Sequence, residues 1–150
     1  MSNIQYADDL AVGQRIEFGQ HTVSQEEIVE YAKLWDPLFI HADPVAAELS
    51  PFGSVIASGI HTLAIYQRLA VQAFWSGFKG GIGRGFEINF RRPVLPGNTL
   101  SGHLLVESVT PRPERNDATV TLSAKLVNED ADVVLELINR SVLPLSPGRS

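Results

Sequence analysis

Residues 58–74 set the first constraint on this chain. From Ser58-Gly59 to Phe74 the segment is apolar on nearly every side, through Ile60, Leu63, Ala64, Ile65, Leu69, Ala70, Val71 and Phe74. A helix that is apolar all round needs cover all round, so it is expected in the middle of the fold. The glycines Gly77, Gly80, Gly81 and Gly83 stop it. The chain beyond them can supply the cover, because it alternates with period two. Phe86, Ile88 and Phe90 oppose Glu87, Asn89 and Arg91, and Val120, Leu122, Ala124 and Leu126 oppose Thr121, Ser123 and Lys125. Val133, Leu135 and Leu137 form a last strand, and residues 99–109 another. Turns at Pro96-Gly97-Asn98, Arg115-Asn116-Asp117 and Glu129-Asp130 separate these runs. The expected class is α+β, an antiparallel sheet wrapped around one long central helix.

The front of the chain carries helix signals. Ile16 and Phe18 alternate with Arg15 and Glu17 as a short first strand. Ser24 with Glu27 three residues on forms a capping box. Ile28, Tyr31, Ala32 and Trp35 come next at helical spacing as one apolar face. Pro37 ends that helix and pushes Asp36 towards extended geometry. Asp43-Pro44 starts a second short helix, through Leu49, with Asp43 as its cap. Residues 50–53 read as a turn.

The 150 residues suit one domain over 1–150. A net charge of -5 repels a phosphate backbone, so nucleic acid is not an expected partner. The absence of cysteine excludes disulfides, thiolate metal sites and a cysteine nucleophile. No His or carboxylate cluster has metal-ligand spacing, so no metal or cofactor is expected. Met1 to Leu10 lacks a charged-then-apolar leader pattern, and no run approaches the length of a membrane span, so a cytoplasmic protein is expected. Residues 1–8 and 146–150 are candidates for fraying.

Three blocks, in order over residues 35–100, carry a resemblance. The first runs from Trp35 through Asp36 and His41 to Asp43 and Pro44. The second leads from Phe52 into Gly59, 23 residues after Asp36. The third runs from Phe90 to Pro96, Gly97, Asn98, Thr99 and Leu100. Together they resemble MaoC-like proteins, the (R)-specific enoyl-CoA hydratase family of the hotdog fold. The resemblance implies a hydro-lyase that adds water reversibly across the 2,3-double bond of an enoyl-CoA. It implies Asp36 and His41 as the catalytic pair, with Gly59 supplying an amide to the thioester oxygen. It also implies a homodimer or dimer of dimers, with residues 54–59 and the strand around Phe86 to Phe90 as the contact.

The chain departs from the family pattern in two places. Leu38 and Phe39 stand where the family often has Asn and Pro, and Gln67 stands where many members have Ser. Gln67 falls in the stripe of Ile60, Ala64, Val71 and Phe74, where it either satisfies a stray backbone group or reaches the pocket. A short or polar-substituted acyl group is the expected substrate. Leu38, Phe39, Ser58, Gln67, Arg84 and Arg91 are the candidate substrate contacts. Arg92 and Lys79 could also meet CoA phosphates or be solvated charges.

The chemistry suits the residue types. Hydration needs a base for water, a proton for the α-carbon and a donor for the developing oxyanion. Asp36 and His41 can manage both protons, and the sequence leaves open which is the base. A helix-opening glycine presents a free amide. His61 reads as a packed helix residue, and His21 and His103 show no partner in sequence. Two other readings stay open. A hotdog thioesterase usually carries an acid on its central helix, and residues 60–76 contain none. A non-catalytic acyl-CoA-binding module is the other.

Overall fold

The computed structural model describes residues 4–148. Four long strands and two short ones build an antiparallel sheet. They are β1 (Arg15–Glu17), β2 (His21–Thr22), β3 (Ile82–Phe90), β4 (Thr99–Arg112), β5 (Asp117–Val127) and β6 (Val133–Pro144). The order across the sheet is β1-β4-β5-β6-β3, with β2 also pairing β4. The inward rows are Leu100, Leu104 and Val106 on β4 and Ala118, Val120, Leu122, Ala124 and Leu126 on β5. This is the alternation expected of a sheet with one covered face. At Gly102 a side chain would collide with the Lys125 carbonyl across the ladder, so only glycine lets β4 and β5 approach there.

The cover is α4 (Gly59–Ala73), preceded by α1 (Gln25–Trp35), α2 (Phe39–Ala42) and α3 (Pro44–Ala47). The sheet-around-helix class is therefore as expected, but α4 is not covered on every side. Its buried face is His61, Thr62, Ile65, Tyr66, Leu69 and Ala70. Ile60, Ala64, Gln67 and Val71 form an outward stripe that the chain's own sheet does not reach. The sheet curls over one side of the helix only. Apolarity all round thus does not translate into burial all round.

Several local expectations shift. Ser24 does cap α1, its oxygen accepting from the Glu27 amide at 3.0 Å. The reciprocal half of the box is absent, because the Glu27 carboxylate is taken by histidines. Trp35 is 68% exposed and is not part of the buried face of α1, which is Ile28 and Ala32. Asp43 caps α3 through Val45 and Ala46, with Pro44 in the first turn, and the helix ends at Ala47 rather than Leu49. The short helix α2 has no cap or periodicity to announce it, and the structure adds it. Gln5 and Asp8 are tied in, not frayed: the Gln5 amide donates to Gly77, and the Asp8 carboxylate accepts from the Ser146 amide and hydroxyl. Residues 1–3 and 149–150 lie outside the described residues.

The two edges of the sheet differ. The β1/β2 edge is three and two residues long. The β3 edge is nine residues long, and its Ile82, Phe86 and Phe90 are 42–63% exposed.

Candidate active site

The site forms where three segments meet the start of α4. Pro37 closes α1, and Asp36 takes the C-cap position with φ -159° and ψ 72°, outside the helical region. The chain then turns into α2, which buries His41. The segment Val55 to Ser58 runs buried beneath both and delivers Gly59 to the first helical position.

His41 Nδ1 lies 2.7 Å from the Ile56 carbonyl. A carbonyl only accepts, so Nδ1 carries the proton and Nε2 of the neutral ring keeps a lone pair. That Nε2 faces Asp36 Oδ2 at 3.7 Å. Two acceptors at this separation suit one shared proton source, such as a bridging water beside their axis. Asp36 Oδ2 also accepts a 2.6 Å hydrogen bond from the Ser58 hydroxyl. Ser58 stands at the N-cap of α4, where a serine ordinarily turns back to the helix amides. Here it makes no such cap, and the first intrahelical bond is that of the Thr62 amide to the Ser58 carbonyl. The amide of Gly59, at the first helical position, has no acceptor within the helix.

A hollow of about 320 Å³ opens beside this corner, lined by His41, Gly59, Thr62, Phe90, Arg91 and Arg92 among others. A side chain at position 59 would press on the Phe90 ring at 2.8 Å, so glycine keeps that wall close. Arg91 and Arg92 are exposed, with Glu136 and Asp132 as their partners at 3.3 and 3.8 Å.

The structure brings Asp36, His41, Ser58 and Gly59 together, and it places Arg91 at the mouth of the hollow. Ser58 is buried and turned to Asp36, which makes it a partner of that carboxylate and not a surface for substrate. Leu38 and Phe39 flank the pair but point outward, both more than half exposed. Arg84 is exposed on β3 and does not line this hollow. Gln67 lies well along α4 and lines a different hollow.

A supporting network adds to these residues, and the sequence gives little sign of it. Glu27 accepts from His21 Nε2 and from His61 Nε2, each at 2.8 Å. Tyr31 stacks on His61, ring centroids 4.4 Å apart, and its hydroxyl donates to the Ile60 carbonyl. These contacts lock α1, and so Asp36, onto the first turn of α4. Burial pushes the His61 pKa below its ordinary value, against the pull of Glu27. The Ser24–Glu27 spacing is a local signal that accounts for Glu27 as a cap and so conceals its longer-range bonds.

The family described as MaoC like domain matches residues 9–128 of this chain. YdeM of Bacillus subtilis is 36% identical over 123 residues, which span 77% of this chain and 84% of that protein. The 3-hydroxyacyl-thioester dehydratase Z of Mycobacterium tuberculosis is 36% identical over 106 residues, 67% of this chain and 70% of that protein. The crystal structure of a MaoC-like dehydratase from Rhodospirillum rubrum matches with a TM-score of 0.88 at 35% identity, covering 95% of this chain and 99% of the other. The unliganded R-hydratase PhaJ1 of Pseudomonas aeruginosa, at 23% identity and a TM-score of 0.80, shares the fold over 96% of this chain and 88% of its own.

Proposed function

The chain belongs to the MaoC-like domain family, and from that premise we propose that it hydrates 2,3-enoyl-CoA thioesters reversibly. The observation that carries the reading is the 2.7 Å contact of His41 Nδ1 with the Ile56 carbonyl. It makes Nδ1 the protonated nitrogen of the neutral ring and leaves Nε2, 3.7 Å from Asp36, as the nitrogen that can take a proton. A water held between Nε2 and the carboxylate loses one proton to Nε2 as its oxygen bonds to the β-carbon. The double-bond electrons move to the thioester, whose oxygen takes the charge. The Gly59 amide, without a helical acceptor at the first position of α4, would meet that oxyanion. The imidazolium then returns the proton to the α-carbon, and the second water hydrogen stays on the new hydroxyl. Dehydration is the same path reversed. Arg91 and Arg92 would face the phosphates of the CoA arm.

We assign the β3 edge to a second copy of the chain. A nine-residue strand paired with β6 on one side only, with three exposed large apolar side chains, is an open template that proteins rarely leave bare. The other expected contact, residues 54–59, is withdrawn, because Val55 to Ser58 are buried within the chain itself. Sedimentation at micromolar concentration should show a dimer or dimer of dimers, and a monomer would refute the assignment.

The test of the chemistry is turnover on a short enoyl-CoA, followed by loss of the conjugated thioester absorbance. Asp36→Asn and His41→Ala should each lower kcat by about 10²–10⁴. The double variant should lose little more, since both residues act on one water. Near-normal turnover in either single variant would exclude the pair.

A further inference from the structure

The hydration chemistry leaves a second hollow unused. It lies towards the other end of α4 and measures about 430 Å³. On the single chain its walls combine Trp75 and Phe78 with Phe86, which lies on the edge assigned above to a second copy, and with the polar side chains of Gln67, Asn139 and Ser141. Gln67 is exposed on the outward stripe of the helix, but Asn139 and Ser141 are only 4% and 2% exposed. Both occupy the inward row of β6, where their neighbours are Leu135, Leu137 and Leu143. Polar side chains in such a row cost about 1–3 kcal/mol each if left unsatisfied.

They are half satisfied by each other. The Ser141 hydroxyl donates to Asn139 Oδ1 at 2.6 Å. The amide nitrogen of Asn139 has no hydrogen-bond partner among the described residues. Nor is that nitrogen among the sealed, unpartnered groups, so it opens onto the hollow. In this pairing the amide turns its oxygen towards Ser141 and its NH2 donors towards the space. Among the described residues no charged side chain lines the hollow. An anionic ligand would find no counter-charge, and a purely apolar one would strand the amide. A neutral oxygen packed among aromatic rings satisfies both conditions.

The hollow is in line with the reacting corner. Gly59 and Gln67 are eight helical positions apart, about 12 Å at the rise of an α-helix. β3 runs beside the helix over that distance: Phe90 touches position 59, and Phe86 packs edge-on against Tyr66 and lines the second hollow. We propose that this hollow is the distal acyl subsite and that the preferred substrate is a medium-length enoyl thioester bearing a hydroxyl or keto oxygen near its far end. The proposal rests on the hydratase reading and keeps the polar-substituted group expected from Gln67, while replacing the short chain.

The test compares two enoyl-CoA esters of equal medium length, with and without a terminal hydroxyl. The wild-type protein should prefer the hydroxylated ester in kcat/KM by about tenfold or more. Asn139→Leu, close to isosteric, should abolish or reverse that ratio. Gln67→Leu, at an exposed helix position that cannot disturb the core, should lower it in the same direction and carries the test if Asn139→Leu does not fold. No wild-type preference would overturn the subsite, and so would a ratio unchanged in both variants, or in Gln67→Leu alone if Asn139→Leu does not fold. Failure to hydrate either medium-length ester or a short unsubstituted enoyl-CoA would instead remove the hydratase reading beneath it.

Discussion

The two ends of the central helix are built on opposite terms. At the first turn the side chains around the reacting groups are committed to one another, Ser58 to Asp36, His41 Nδ1 to Ile56, Glu27 to two histidines and Tyr31 to the Ile60 carbonyl, while His41 Nε2 and the Gly59 amide stay open. Towards the last turns the side chains of Gln67 and Asn139 keep hydrogen-bonding capacity in hand beside an open hollow. The difference matches what the proposed reaction and the proposed subsite would ask of each end. Acid–base chemistry gains from groups fixed before the substrate arrives, since reorganisation then costs nothing at the transition state. Recognition of a distal group needs hydrogen bonds not yet spent.

The comparison can be broken first at Ser58. If the committed end owes its rigidity to side-chain bonds, Ser58→Ala should lower kcat by about 10- to 100-fold, the worth of a hydrogen bond to a charged group. KM should change little, because Ser58 does not face the hollow. A compensating gain in helix stability would not restore kcat. An unchanged kcat would mean that Asp36 is held by the backbone alone.

A second test uses pH. His61 is buried and its pKa lies below the ordinary value of 6.5, with desolvation the largest cause. The unfolded chain therefore binds a proton at a pH where the folded one does not. The contribution is fully present above about pH 6.5 and is lost progressively as pH falls through the lowered value. His61→Gln should be less stable than wild type at neutral pH but lose less on acidification. Thermal midpoints for both proteins between about pH 8 and pH 5 would show it, and parallel curves would refute it.

The smallest effect is expected midway along the helix. The Tyr66 hydroxyl is fully buried, with no hydrogen-bond partner among the described residues, and the ring sits between Phe18 and Phe86. Burial alone raises its pKa. Tyr66→Phe deletes the orphan oxygen and keeps the ring contacts, so it should be neutral or stabilising by about 1 kcal/mol. Chemical denaturation would decide, and a clear loss of stability would show that the hydroxyl has a partner in solution.

The parts of this protein that are local are legible in the amino-acid sequence alone. Period-two alternation names the strands, Pro37 places Asp36 at a helix end, and the Ser58-Gly59 pair opens α4 where it does open. The three blocks between residues 35 and 100 carry the family, because their spacing is a property of the chain itself. Side-chain partners are not legible in the same way. Glu27 sits at the right spacing to cap its own helix, yet it bonds His61, 34 residues away. Ser58 sits at an N-cap and bonds Asp36 instead.

The open faces are hidden from the sequence for a related reason. The stripe of Ile60, Ala64, Gln67 and Val71 has the composition of a covered surface, and only the curl of the sheet leaves it bare. Asn139 and Ser141 give no signal because a polar residue on a strand ordinarily faces water, and it takes the register of β6 against β5 to turn them inward. Periodicity encodes which residues share a face. Which face meets which, and which polar group is left with a bond to give, depends on packing between segments far apart in the chain, and that only the tertiary structure decides.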